Sequence, residues 1–277
     1  MTVKVQHALG MAPQQDNATP LKRQGATSPV GRRDALTRLA SLLVFVLVWH
    51  IAASIAQTST LPAPLAVFER IAAETASLVL PEHLYITLSR VVVSFTVAML
   101  IGTLIGIAMG HWRRLDLFLD GWLVLGLNIP ALVTIILCYV WFGLNDTAAI
   151  IAVAINKIPT VVVTVREGAR AIDPRLMQVG AAYRLPPWRT FCHIYLPQLQ
   201  PYLMAAARSG LSLIWKIVLV VELLGRSNGI GFQLNVFFQF FDITGILAYT
   251  LVFAAIVLLV EGLMLRPLER RVTRWRG

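Results

Sequence analysis

Two ammonium groups and two amides sit where polar chemistry is expensive. Lys157 and Lys216 lie inside long apolar runs, and Asn128 and Asn156 share the same kind of surroundings. Lys157 is about nine residues from the end of its run, roughly 13 Å deep at 1.5 Å per residue. Lys216 is about 14 residues into its own run, at similar or greater depth. A cation there is costly unless it meets a cavity, a partner or an anion. Glu222 lies nearer the outer end of its run, so no carboxylate is expected at the level of either lysine. The four residues are read as lining a pathway biased toward anions. The competing reading is a lysine that snorkels or pairs across a subunit interface.

A second constellation lies in the polar segment 166–201, in the stretch DPRLMQVGAAYRLPPWRTFCHIYLP. Asp173 is a favourable N-cap and Pro174 a favourable first helical residue, while Pro186 and Pro187 stop the turn. Leu176, Val179 and Tyr183 recur at i, i+3 and i+7, which predicts a short amphipathic helix over 174–185. So long a connection between apolar runs suggests a docking surface. A third pattern, Gly102, Gly106 and Gly110, is a small-residue stripe that permits close helix packing.

Covalent chemistry finds no foothold. The chain contains no H-E-x-x-H, no paired metal-ligand spacing and no G-x-x-x-x-G-K-[ST]. Its five histidines are scattered singly, and its two cysteines, Cys138 and Cys192, read as structural thiols. No enzyme activity and no metal site are expected. Gly229 and Gly231, a lone G-x-G, read as a turn.

The elements that must carry these residues follow from composition. The 277 residues are 57% hydrophobic and only 14% charged, with mean hydropathy +0.71. A soluble globular protein carries about 25% charged residues, so a water-facing surface cannot be covered and an all-α membrane protein is expected. Six spans are read at about 39–56, 84–109, 117–142, 147–165, 202–224 and 244–265, with Pro130 inside the third. Residues 1–38 read as a disordered tail and 266–277 as a basic one. The first run is read as a retained helix, because its basic leader is too long for a secretory signal.

Net charge +10 raises the question of nucleic acid, and the placement of the cations answers it. With the N-terminus inside, 18 of the 24 basic residues fall on the cytoplasmic side, and only Arg70 and Arg226 on the other. The rest, Arg90, Lys157, Arg208 and Lys216, lie in or at the ends of spans. This is a positive-inside pattern with both termini cytoplasmic, in a multi-pass protein of the cytoplasmic (inner) membrane; no nucleic acid is implied.

Over roughly residues 60–276 the chain resembles the permease subunits of ATP-binding-cassette importers, in the branch for nitrate, sulfonates and taurine. The segments that carry the resemblance are TLSRVVVSFTVAMLIGTLIGIAMG, WFGL, VVELLGRSNGIGFQL and the basic end LERRVTRWRG. The cytoplasmic segment resembles the family's Glu-Ala-Ala signature. Leu196-Pro197 sets its register and puts Gln178, Val179 and Gly180 at those three positions. Gln178 therefore replaces the acidic residue, and Arg184 stands where the signature has Gly.

The resemblance implies a type I importer permease fold, a helix at 174–185 that couples to a separate cytoplasmic ATPase, and a second copy of the chain. It also implies an extracytoplasmic solute-binding protein, with ATP and Mg held by the ATPase and no cofactor in this chain. The cargo implied is a small anionic or zwitterionic solute such as nitrate, an alkanesulfonate or taurine. The alternatives weighed are an ion-gradient-driven secondary transporter or channel, and a permease of the same class for a pyrimidine vitamin precursor.

Overall fold

Runs of Leu, Ala, Val and Ile become helices in lipid because a helix satisfies every backbone N–H and C=O within one segment. In the computed structural model, which describes residues 32–58 and 60–265, every regular element is helical. In order these are α1 (Arg32–Ala56), α2 (Pro64–Ala76), α3 (Val79–His111), α4 (Arg113–Asn128), α5 (Ala131–Phe142) and α6 (Asp146–Arg170). There follow α7 (Pro174–Ala182), α8 (Pro187–Thr190), α9 (Leu196–Gly225), α10 (Ile230–Gln239) and α11 (Ile243–Val260). The expected N-terminal tail as far as residue 31 and the basic C-terminal tail lie outside the described residues.

Among the described residues, five stretches are long and apolar enough to cross a membrane: Leu39–Ala56, Val79–His111, Asp146–Arg170, Pro187–Gly225 and Ile243–Leu263. The pair α4 and α5 passes the same test together but meets at 99°, so the count is six if that pair crosses as one. The third span expected over 117–142, with Pro130 inside it, is here two helices bent at that proline. Pro130 has no N–H to continue the ladder, and it pushes Ile129 into extended backbone (φ −70°, ψ 124°).

Three other boundaries move. Residues 32–38, expected in the tail, continue α1, since nothing between Arg32 and Arg38 breaks a helix. The fifth span starts earlier, because α8 runs through a wide π-type turn at Phe191–Tyr195 directly into α9. The stretches holding α2 and α10 were expected as connections and are short helices.

The chain divides into two units at Val48 and Trp49. The described part of the first is one helical segment whose Leu39, Leu42 and Phe45 are exposed, as lipid contact requires. The second unit is built on α3 and α6. A Cβ added at Gly102 would meet Val161, one at Gly106 would meet Val165, and one at Gly110 would meet Ala169. The constant offset shows that the two helices run parallel in near backbone contact. α9 crosses α6 in the opposite sense, with Gly168 against Leu199 and Tyr202, and Gly210 against Lys157. Val91, Ile135, Val153, Ile214, Val218 and Tyr249 fill the main core.

Candidate coupling surface and membrane-embedded polar sites

The predicted amphipathic helix is α7, and its ends are held as the sequence suggests. The Asp173 carboxylate accepts from Arg175 N at 2.8 Å, and Asp173 N donates to Gln198 Oε1 at 2.9 Å, which ties the start of α7 to α9. Gly180 is buried against Thr190 and Ile194, so the polypeptide doubles back closely there. Leu176, Val179 and Tyr183 stay 47%, 46% and 77% exposed, and Gln178 is exposed beside them. Leu196 and Pro197 open α9, with Pro197 in its first turn.

The helix is shorter than 174–185 because a left-handed residue ends it. Arg184 has φ +49°, its N–H donates to Ala181 O at 3.0 Å, and Leu185 N donates to Gly180 O at 2.9 Å. This is a Schellman closure, whose left-handed position is usually glycine. In this chain Arg184 occupies that position. A non-glycine residue in that conformation costs about 1 kcal/mol. Arg184→Gly should therefore raise the thermal midpoint of the detergent-solubilised protein by about 3 °C. An unchanged or lower midpoint would show that the arginine side chain contributes as much as the strain costs.

The largest polar cluster joins residues that the sequence reading kept apart. Arg90 of α3 is 4% exposed and Glu222 of α9 is fully buried, and Arg90 Nη1 donates to Glu222 Oε1 at 2.7 Å. Arg90 Nε and Nη2 both donate to Asp146 Oδ1, at 2.9 and 2.7 Å. The other oxygen of Glu222 accepts from Thr87 Oγ1 and Gly231 N, each at 2.9 Å. Gly229 turns the chain at φ +107°, and its N–H donates to His83 Nδ1 at 3.0 Å. α3, α6, α9 and α10 are thereby clasped at one end of the bundle. Sequence reasoning missed this although one signal was available: Arg90 and Glu222 are opposite charges placed within otherwise apolar runs.

At the other end, Arg166 reaches Asp120 at 2.7 Å and Asp116 at 3.2 Å, and Arg170 pairs with Asp116. These bonds tie α4 to the end of α6, just before α7.

The four residues expected to line one pathway are not brought together. Lys157 is 1% exposed, packed against Gly210, and its Nζ has no hydrogen-bond partner among the described residues. Lys216 is exposed in a cleft between α9 and α11. The reason is helical phase. Lys216 follows Gly210 by six residues, about 600° of rotation, which turns it roughly 240° away from the face that touches Lys157. Asn128 and Asn156 spend their amides on their own helices, donating to Val124 O at 2.7 Å and Ala152 O at 2.8 Å. Neither cysteine is in a disulfide, and among the described residues no group of three or more His, Cys, Asp or Glu is placed to hold a metal ion.

Known proteins show the same arrangement of sequence and helices. A family model described as binding-protein-dependent transport system inner membrane component matches residues 98–274. The taurine transport system permease protein TauC of Escherichia coli (strain K12) is 27% identical over 256 residues, covering 90% of this chain and 92% of that one. A permease protein named for aliphatic sulfonates transport, SsuC of Bacillus subtilis (strain 168), is 26% identical over 236 residues, 84% of this chain and 85% of its own length. In fold, the chain is similar to a subunit of the MetNI methionine ABC transporter solved in an inward-facing conformation. The TM-score is 0.60 at 19% identity, over 72% of this chain and 98% of that one.

Proposed function

This chain belongs to the family of binding-protein-dependent transport system inner membrane components, and from that premise we propose how it works and what it carries. Membership makes it a multi-pass inner-membrane permease subunit of an ABC importer, a transport subunit and not an enzyme, working with an ATPase and a solute-binding protein. Our reading is that two copies pair around one pathway, because a single bundle of this size closes only half of it. Both termini lie in the cytoplasm, in keeping with the concentration of Lys and Arg on that side. ATP and Mg are bound by the ATPase. The cargo is a small anionic or zwitterionic solute of the alkanesulfonate, taurine or nitrate class, a reading supported by relatives named for taurine and aliphatic sulfonates.

The observation that carries the mechanism is α7. It is capped by Asp173, closed by Arg184 and Leu185, and wedged by Gly180 against the segment that leads into α9. Its outer face keeps Leu176, Val179 and Tyr183 exposed. A short rigid helix with an uncovered apolar face suits a groove in the ATPase. Movement of that groove is passed to α9 through the continuous helix from Pro187, and to α6 through the three-residue link before Pro174.

Affinity purification of the tagged chain from its own membranes in mild detergent tests this, with mass spectrometry of what accompanies it. A stoichiometric ATPase is expected. Val179→Asp should reduce the co-purified ATPase at least tenfold while leaving the yield of permease unchanged. A buried apolar contact of about 1.5–3 kcal/mol is lost, and a carboxylate is forced into an apolar groove. A wild-type chain that is folded yet comes down alone under every nucleotide condition would overturn the proposal in favour of a transporter driven by an ion gradient.

A further inference from the structure

The cleft between α9 and α11 holds a pattern that the pathway expectation only touched through Lys216. Arg208, Ser212 and Lys216 follow one another at i, i+4 and i+8, so they stack along a single face of α9. All three line the cleft, whose volume is about 790 Å³. Lys216 stands nine residues before Gly225, about 14 Å from that end of the helix and near mid-membrane. Neither the Lys216 nor the Ser212 side chain has a hydrogen bond or ion pair with another described residue. Arg208 does have a partner: its Nη2 is 3.9 Å from Glu261 Oε1 at the far end of the cleft. Lys216 has no carboxylate partner among the described residues. The rest of the lining is largely apolar, with Trp215 of α9 set edge to face against Phe253 of α11 at 5.7 Å.

An exposed ammonium at this depth does not face hydrocarbon. The cleft is wide enough for a small molecule. It combines cationic and hydroxyl donors of α9 with an aromatic pair shared by α9 and α11, a chemistry that matches an amphiphilic monoanion. We infer that this cleft is a membrane-embedded binding site for an oxyanion on a short apolar body, an alkyl sulfonate or carboxylate. Lys216 Nζ and the Ser212 hydroxyl donate to the oxyanion head, Trp215 and Phe253 pack on the alkyl part, and Arg208 supplies the second cation toward Glu261. The inference rests on the importer reading above and deepens it: it places selection for a single negative charge in the permease itself. Lys157, closed off behind Gly210, takes no part.

The test uses the full chain purified with its ATPase in lipid nanodiscs, with and without ATP. In Ser212→Cys, the rates of modification by 2-sulfonatoethyl and 2-(trimethylammonium)ethyl methanethiosulfonate are compared, each divided by its rate with a free thiol. The unsubstituted chain, with buried Cys138 and half-buried Cys192, sets the background. The anionic reagent is expected to react about tenfold faster, the scale of one unit charge several ångströms away in a partly aqueous cleft. Ethanesulfonate should slow the labelling, and Ser212→Cys combined with Lys216→Met should bring the two normalised rates together. Absence of labelling in any nucleotide state would mean that a second copy or lipid covers this face, and would overturn the site. Equal rates for the two reagents, or labelling indifferent to ethanesulfonate, would overturn it too. Co-purification of the ATPase in the same preparation keeps the failures apart. With the ATPase present only the site falls; with it absent the importer reading falls.

Discussion

Arg90→Met should lower the thermal midpoint of the solubilised protein by about 10 °C and cut the yield of monodisperse material. Glu222 is fully buried, and among the described residues its cationic partner is Arg90. Removing the guanidinium strands a carboxylate in a low-dielectric interior, at a cost of about 3–5 kcal/mol. Thr87 Oγ1 and Gly231 N still donate to it, but neither carries charge. The paired change Arg90→Met with Glu222→Met should recover most of the loss, since two apolar side chains leave no charge behind. If the double variant melts no higher than the single one, the ion pair is not the unit that matters. Arg90→Lys is expected to rescue poorly, because Arg90 bridges Glu222, Asp146 and the Asn228 carbonyl with three different nitrogens, and one ammonium cannot reach all of them.

Gly106→Leu is the second change expected to be severe. A Cβ there would stand 2.8 Å from Val165 Cβ and 2.9 Å from the Val162 carbonyl oxygen. The oxygen belongs to the backbone of α6 and cannot rotate away, so α3 and α6 must separate along their whole parallel seam. Overpacking of a dense interior costs about 1–3 kcal/mol for modest additions, and a leucine exceeds a modest addition. A fall of the thermal midpoint by about 8 °C is expected, together with loss of the assembled importer on size exclusion. Gly121→Ala is the matching control, since a Cβ there meets nothing within 4 Å. Equal behaviour of the two variants would refute the reading of the stripe as a packing seam.

Together these changes describe a rigid frame. α3 and α6 are locked by the glycine stripe and clasped at one end by Arg90, Glu222 and Asp146. At the other end, Arg166 and Arg170 hold them to Asp116 and Asp120 of α4. α7 hangs from the end of α6 and returns to the start of α9 through the Asp173–Gln198 bond. Force applied to α7 therefore acts on two long helices whose mutual contact runs past Gly168 and Gly210.

Local pattern was enough for whatever depends on neighbours within a few turns. Apolar run length placed the crossing helices, because 1.5 Å per residue against a bilayer leaves little choice. Asp173-Pro174 marked the start of α7 and Leu176, Val179 and Tyr183 its open face, since a cap and a helical repeat are both short-range. The Gly102, Gly106 and Gly110 stripe announced close packing for the same reason. The partner helix was another matter, as were the pairing of Arg90 with Glu222, 132 residues apart, and the separation of Lys157 from Lys216. These depend on which face of each helix meets which neighbour, and helical rotation about its own axis leaves no trace in hydropathy. Pro130 was visible as a breaker, yet the 99° turn it makes was decided by how α4 and α5 pack on α6. The spans are a property of the chain against lipid, whereas the clasp and the cleft are properties of helices against one another, which only the tertiary structure decides.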